Sequence, residues 1–392
     1  MPAIQMNTDR QIGASVRAHS AGGRNSGDTI LPVQSARVAG WATPFASFRK
    51  ASATMAKPWY YGGQAVMDGV MMRGRHSMAV AVRAPDGTIA LWEERLQPGP
   101  VLRSVRGVPF VRGAIVLWDT LLLGMRALIF SANVGLQEEE AQAKAEGREP
   151  EGPTTFTGPL LWLTVAMSLA FSIGLFFVAP LVVVDILERW IEQHWLVNLI
   201  EGLLRLGLLV GYMYLISLTP DIRRVFQYHG AEHMTINAYE RKVPVDVANV
   251  RQQSLTHVRC GTGFMLIVVL LSILVFIAIG RPAWYYLYAS RILLVPIIAA
   301  VAYEIIRVGA SHSSNPIVKV ILAPGLALQG ITTRRPDDDM LEVAIAAFEH
   351  VLVTDAVIAD AERSMPVVRV TPDGKPLVDN SGTGGLMPSA AS

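Results

Sequence analysis

Charged residues are scarce in this chain of 392 residues, and cysteine is almost absent. Lys, Arg, Asp and Glu make up 17% of the sequence, against 51% hydrophobic residues, and the formal net charge is +2. An ordinary soluble domain is about one-quarter charged, so this composition indicates a chain that is partly solvated by lipid. The near-neutral net charge excludes a global field that attracts nucleic acid, and no nucleic-acid partner is predicted.

The single cysteine, Cys260, excludes any disulfide bond within the chain. The sequence therefore carries no sign of stabilisation by an oxidising compartment. The thiol is left to bind a metal, to react or to pack in the interior.

Four apolar segments are long enough to cross a bilayer, which takes about 20 helical residues. They lie at about 159–184, 196–218, 262–279 and 287–306. Arg205 and Arg291 lie near segment ends, from which long side chains can reach the lipid headgroups. A fifth stretch, 114–129, carries Asp119 and Arg126. We interpret it as an amphipathic helix on or dipping into the membrane, with a full span as the alternative.

Outside these segments the pattern predicts a small α+β portion. The β-rich runs Ala79–Arg83 and Thr88–Glu93 flank Pro85-Asp86-Gly87, which predicts a β-hairpin. Apolar residues in Asp337–Val353 recur at helical spacing after three aspartates, which predicts an amphipathic helix. The predicted fold class is therefore mainly α: a polytopic membrane helix bundle with a small cytoplasmic α+β portion.

The sequence divides into seven regions by composition. Before the main membrane region lie a disordered N-terminal extension at 1–56, a glycine-rich and hairpin region at 57–112, the amphipathic or membrane helix at 113–137 and a polar linker at 138–158. The four-helix transmembrane region covers 159–306 and includes a His/Glu loop at 219–261. A cytoplasmic C-terminal region at 307–364 and a disordered tail at 365–392 follow it. The Arg- and Ser-rich extension also resembles a targeting peptide.

The distribution of Lys and Arg predicts the orientation, because positively charged loops stay in the cytoplasm. The link between the second and third spans carries Arg223, Arg224, Arg241, Lys242, Arg251 and Arg259, whereas the link between the first and second carries only Arg189. The His/Glu loop is therefore predicted to be cytoplasmic. Four spans place both termini on the same side, in a multi-pass protein of the plasma membrane.

The His/Glu loop contains the segment His229-Gly230-Ala231-Glu232-His233. In a helix, His229 and His233 lie one turn apart on one face with Glu232 beside them, a zinc-binding arrangement in reverse order. Glu232 is predicted either to ligate a divalent metal, such as zinc, or to act as the catalytic base toward a metal-bound water.

Further metal ligands are available at the same membrane face. Glu240 follows His233 by seven residues, and His257 and Cys260 precede the third span. Glu304 lies at the predicted cytoplasmic end of the fourth span. We therefore predict metal ligation by His229, His233, Glu240, His257 and Cys260, with Glu304 as a further candidate.

Each of these features also has a purely structural explanation. Histidine pairs occur at membrane edges by chance, and a lone cysteine usually packs as a small apolar residue, here beneath the Gly261-Thr262-Gly263 helix start. The glycine-rich segment 62–74 is either a cluster of turns or a substrate loop. Asp68 and Arg73 are its candidate chemical residues, and a fixed ion pair would explain both.

Taken together, these motifs resemble the YqhQ-type family of uncharacterised bacterial membrane proteins. The resemblance covers about 59–347 and rests on GGQAVMDGVMMRG at 62–74, HGAEH at 229–233, HVRCGTGF at 257–264, Tyr303-Glu304 and PGLALQGITTRRPDDD at 324–339. Asp68 stands where the family usually has glutamate, and Val258 stands where it usually has proline. The resemblance implies a predicted metal-dependent enzyme.

Two classes of function remain open. The first is a membrane-embedded metal-dependent enzyme, of hydrolase type, acting on a lipid-linked or membrane-tethered substrate. The second is a non-enzymatic scaffold or regulator, whose His/Glu cluster holds a structural metal or forms a hydrogen-bonded network. A transporter is disfavoured, because the four spans show few charges and no broken-helix pair.

Overall fold

The computed structural model describes residues 60–96, 108–147, 158–281, 283–312 and 315–377. The predictions for the N-terminal extension lie outside the described residues. So do those for residues 148–157 of the polar linker and for the end of the C-terminal tail.

The described residues contain a sheet of five strands in the order β1-β2-β3-β4-β5. The strands are β1 Gly62–Val66, β2 Gly69–Arg73, β3 Ser77–Arg83, β4 Ile89–Arg95 and β5 Val368–Arg369. The first four form an antiparallel meander, and β5 lies parallel to β4. The predicted hairpin is confirmed as β3 and β4, with Gly87 at a φ of +86° in the turn. The glycine-rich segment adds two strands that its composition did not predict.

Helices cover both faces of the sheet, because side chains along each strand alternate between two apolar clusters. Ala79 and Ala81 face one cluster, whereas Met78 and Val80 face the other. The first cluster is closed by helices at 220–240 and 338–354, and the second by a helix at 111–145.

The predicted fold class, mainly helical with a small sheet, is confirmed. The α-helices are α1 Val111–Ala145, α2 Pro159–Ile173, α3 Ala179–Leu187, α4 His194–Ile216, α5 Pro220–Glu240, α6 Val247–Val250, α7 Gly261–Ile279, α8 Trp284–Ser311, α9 Pro316–Thr332 and α10 Asp338–Thr354. Within the described ranges, five helical stretches are long and apolar enough to cross a membrane: Val111–Gln137, Leu161–Trp190, His194–Ile216, Gly261–Ile279 and Tyr285–Ser311.

Helix α1 is twice as long as the apolar stretch from which it was predicted. Leu123, Ala127 and Phe130 pack on the sheet, whereas Trp118 and Leu121 are exposed. The helix therefore has one face on the sheet and an opposite apolar face. It also continues through the first residues of the segment that we expected to be a polar linker.

Two features of the C-terminal half were not predicted. Helix α9 packs against α7, where Gly263 and Gly325 bring the two backbones into contact. The tail expected from residue 365 instead begins with Val368–Arg369, which pair with Ala90 and Leu91 of the sheet. Such a two-residue strand lies below the length at which sequence periodicity is visible.

Candidate metal centre

Helix α5 carries the histidine pair between the sheet and the membrane-length helices. It begins with Pro220 in its first turn, where the missing amide hydrogen is tolerated, and Asp221 follows at the positive end of the helix dipole. It runs to Glu240, so the expected helical spacing of His229, Glu232 and His233 is present.

Both histidine rings are fixed through the same nitrogen. His229 Nδ1 lies 2.8 Å from the carbonyl oxygen of Thr332, and His233 Nδ1 lies 2.6 Å from that of Leu255. A carbonyl oxygen can only accept, so each Nδ1 carries the hydrogen and each neutral ring keeps its lone pair on Nε2. This is how second-shell carbonyls orient histidines that bind metals.

The cysteine lies close to the Nε2 atoms of these two histidines. Cys260 Sγ is 3.2 Å from His229 Nε2 and 2.9 Å from Thr262 Oγ1. One ligand atom from each of His229, His233 and Cys260 lies within 4.8 Å of the others. The thiol therefore contacts His229 as well as packing at the N-terminus of α7.

Glu232 borders the same point. Its Oε2 is 4.0 Å from His229 Nε2 and 3.7 Å from His233 Nε2. The side chains of His233 and Glu232 are 1% and 6% exposed, whereas that of His229 is 15% exposed. The group is thus almost enclosed, and its most exposed member is His229.

Two glycines allow this packing. A Cβ on Gly63 of β1 would lie 2.7 Å from Cγ of Glu232, so the glycine leaves room for the carboxylate. A Cβ on Gly230 would collide with the carbonyl oxygen of Arg334. Gly230 therefore lets α5 approach the chain that presents the Thr332 carbonyl to His229.

Glu240 and His257 form a separate pair beside this group. His257 Nε2 is 3.4 Å from Glu240 Oε2, and Arg259 pairs with the other oxygen of Glu240. Partial burial raises the pKa of the Glu240 carboxyl, but the hydrogen bonds from His257 and Arg259 outweigh burial and lower that pKa to about 2. The rings of His233 and His257 are 5.7 Å apart, so the pair lies next to the metal-type group.

The remaining candidates pair with other residues. Glu304 accepts a 2.7 Å hydrogen bond from Arg112 Nε. Asp68 pairs with Arg224, and Arg73 pairs with Asp119. Asp68 and Arg73 are thus each in an ion pair, but not with one another.

The chain matches a family of proteins over residues 108–354, a family described as "Protein of unknown function (DUF1385)". The chain belongs to this family. It is also 33% identical over 302 residues to "Uncharacterized protein YqhQ" of Bacillus subtilis (strain 168), across 76% of this chain and 94% of that protein. No solved structure matches the chain.

The DUF1385 match includes a residue that sequence reasoning did not single out. Gln329 Nε2 donates to the carbonyl oxygen of His257 at 2.9 Å, and Gln329 Oε1 accepts from its backbone N–H at 2.8 Å. Gln329 thereby fixes the turn that leads to Cys260. The signal available in the sequence was a single amide among apolar residues in the motif at 324–339. In the structure this amide is buried.

Proposed function

We propose that His229, His233 and Cys260 hold a divalent metal ion of the zinc type. The observation that carries the proposal is the shared orientation of the two histidines, whose Nδ1 atoms are bonded to carbonyls. Two imidazole nitrogens and a thiolate are ligands that zinc prefers, and a catalytic zinc site uses three protein ligands.

We propose further that the site is catalytic and of hydrolase type. A bound ion of this kind would supply a Lewis acid that lowers the pKa of a bound water to about 7. Glu232 lies within 4.0 Å of both free histidine nitrogens, so its carboxylate is placed to accept a proton there. Cys260 lies at the N-terminus of membrane-length helix α7, so the group adjoins this helix, which favours a lipid-linked or membrane-tethered substrate.

The proposed setting is a multi-pass protein of the plasma membrane with the sheet on the cytoplasmic side. The cluster of Lys and Arg residues between α4 and α7 supports this orientation. Protease protection of a C-terminal tag in sealed vesicles tests it. The tag should be cleaved in inside-out vesicles and protected in right-side-out ones.

Elemental analysis of detergent-purified protein, prepared without chelators, tests metal binding. The wild-type chain and a control with the exposed His312→Ala change should carry about one equivalent of metal. His233→Ala should lose it, because one of two imidazole ligands is gone, whereas Glu232→Gln should retain it if glutamate is the base. His257→Ala should lose the metal if His257 is a ligand, and should retain it if His257 is only a neighbour of the site. A wild-type chain without stoichiometric metal contradicts the proposal.

The second candidate is a scaffold or regulator with a structural metal. Its support is the near-complete burial of Glu232, which would close the site as a fourth ligand. The two candidates differ in whether a coordination position is open. Azide should change the visible spectrum of the cobalt-substituted protein if a position is open, and an unchanged spectrum favours the structural role.

A further inference from the structure

A second buried group of charged side chains lies at the other end of the helical bundle. Helix α7 starts beside Cys260 and, with 19 residues, is about 28 Å long. Arg281 follows its far end and faces Glu201 of α4, which also pairs with Arg205 of α4 and Arg291 of α8. We call these four residues the arginine cluster.

Glu201 is the centre of the arginine cluster. Its Oε1 accepts a hydrogen bond from Arg205 Nη2 at 3.0 Å, and its Oε2 accepts one from Arg291 Nη2 at 3.2 Å. Arg281 Nη1 faces the same Oε2 from 3.6 Å. Two guanidinium groups therefore converge on one carboxylate oxygen. We had expected Arg205 and Arg291 to reach the headgroups, but both side chains point into the bundle.

Positive charge exceeds negative charge in the buried part of this cluster. The side chain of Glu201 is 1% exposed, and those of Arg205, Arg281 and Arg291 are 8%, 4% and 3% exposed. Asp185 and Glu188 also pair with Arg281, but their side chains are 55% and 33% exposed, at the rim. Buried guanidinium groups are unfavourable unless they are neutralised and fully hydrogen-bonded.

Two donor atoms of the cluster form no hydrogen bond to the described part of the chain, although one of them is in an ion pair with Glu201. Among the described residues, the buried atoms Arg281 Nη1 and Arg291 Nη1 have no hydrogen-bond partner. Guanidinium is a donor only, so a missing partner must be an acceptor. The two guanidinium groups are neighbours, because Arg281 Nη1 and Arg291 Nη2 approach the same oxygen of Glu201.

The guanidinium groups are held in place by neighbouring rings and by a distorted helix. Arg291 lies over the ring of Phe276 at 3.9 Å. Arg205 Nε donates to the carbonyl oxygen of Phe176 at 3.0 Å, within the π-helical turn Gly174–Val178 that joins α2 to α3. Such turns occur frequently at functional sites. Arg205 and Arg291 are therefore preorganised, which favours a specific anion over a passing counterion.

We propose that the arginine cluster binds a phosphate group through Arg281 and Arg291. A guanidinium fork matches the spacing of phosphate oxygens, and a tetrahedral phosphate has enough oxygens for two forks. The adjoining helix surface exposes Val182, Ile186 and Trp190, as expected of a surface in lipid. The phosphate is therefore that of a lipid headgroup or a free phosphate that enters at the rim.

Thermal unfolding of the full chain in uncharged detergent distinguishes these sources. The melting temperature is followed against phosphatidylglycerol in mixed micelles, against inorganic phosphate, and against a phosphate-free glycolipid. We expect a saturable rise with phosphatidylglycerol and none with the glycolipid. A rise with inorganic phosphate alone supports a free phosphate as the ligand.

The variants Arg281→Gln and Arg189→Gln assign the effect to the cluster. Arg281 lies in a link between helices, whereas Arg189 is exposed at the same end of the bundle. Arg281→Gln should raise the half-saturating concentration roughly tenfold or more, because it removes charged hydrogen bonds. Arg189→Gln should leave it unchanged.

Two results overturn the proposal. One is a wild-type chain whose melting temperature responds to neither phosphate source. This result is measured on the wild-type chain alone, so it does not depend on the folding of a variant. The other is an equal response in wild type, Arg281→Gln and Arg189→Gln, which places the phosphate elsewhere.

Discussion

The two ends of helix α7 bury polar groups of opposite chemistry. At the sheet end, ligand atoms of His229, His233 and Cys260 lie within 4.8 Å of one another, and Glu232 lies within 4.0 Å of both histidines. At the far end, the arginine cluster has more N–H donors than the described part of the protein has acceptors for them. Burial makes an unpaired group costly at either end, so the first arrangement favours a cation and the second favours an anion.

Backbone carbonyls account for much of this difference. At the sheet end, the carbonyls of Thr332 and Leu255 accept the Nδ1 hydrogens of the two histidines, so the Nε2 atoms remain as acceptors. At the far end, the carbonyl of Phe176 binds one hydrogen of Arg205, but each guanidinium has five. Histidine has few N–H groups and arginine has five. The number of N–H groups left without an acceptor therefore decides whether a buried site favours a cation or an anion.

Removal of the central carboxylate should affect the two ends unequally. Glu201→Ala leaves three buried guanidinium groups without their shared partner, and we expect a loss of about 3–5 kcal/mol in the free energy of unfolding. Glu232→Ala leaves two imidazoles that backbone carbonyls already hold, so its loss should be about 1 kcal/mol. Denaturation in mixed micelles measures both. Equal losses would contradict the proposed difference in charge.

Gly230→Ala should have the second-largest effect, a loss of stability and of metal affinity at the sheet end. The new Cβ collides with the carbonyl oxygen of Arg334, so the helix must shift, at about 1–3 kcal/mol. The contact of His229 with Thr332 then changes, and metal affinity should fall about 10–100-fold. Gly207→Ala is the control, because its Cβ meets nothing within 4 Å. Equal metal affinity in the two variants would show that the carbonyl contact is not needed.

Gln329→Leu should have a similar effect on stability, confined to the same end. It removes both hydrogen bonds to the backbone of His257 and leaves buried groups unpaired, at about 1–3 kcal/mol. Metal affinity should fall, because the turn leading to Cys260 loosens, whereas the phosphate response should not change. The exposed Gln252→Leu change is the matched control. A loss of the phosphate response would show that the two ends are coupled.

Glu240→Gln should have the smallest effect and a defined pH dependence. The folded-state pKa of Glu240 is lowered from 4.5 to about 2, so its carboxylate stabilises the fold above pH 4.5. That contribution is lost as the pH falls through 2. The stability difference between wild type and variant should therefore shrink between pH 4.5 and 2. A difference that stays constant over this interval would contradict the assignment.

Local patterns were sufficient to predict much of the fold. Long apolar runs predicted the membrane-length helices, and Pro85-Asp86-Gly87 predicted the hairpin. Helix α9 was missed because its 17 residues contain Pro324, Gly325 and Gly330. The strands of the glycine-rich segment were missed because glycine weakens the pattern by which a strand is recognised.

The site was predictable in its residue types and not in its contacts. Helical spacing alone places His229, Glu232 and His233 together. The approach of Cys260 depends on how α7 packs beside α5, and the roles of Thr332, Leu255 and Gln329 depend on contacts across long stretches of chain. The arginine cluster was missed for the same reason, since Glu201, Arg281 and Arg291 come from three different segments.

X-ray absorption by the zinc-loaded protein tests the central claim most directly, because it counts the ligands around the ion. The account predicts one sulfur neighbour at about 2.3 Å from Cys260 and two imidazole nitrogens at about 2.0 Å. Cys260→Ser should remove the sulfur and leave the imidazoles. A zinc ion with no sulfur neighbour, or one surrounded only by oxygen, would contradict the account.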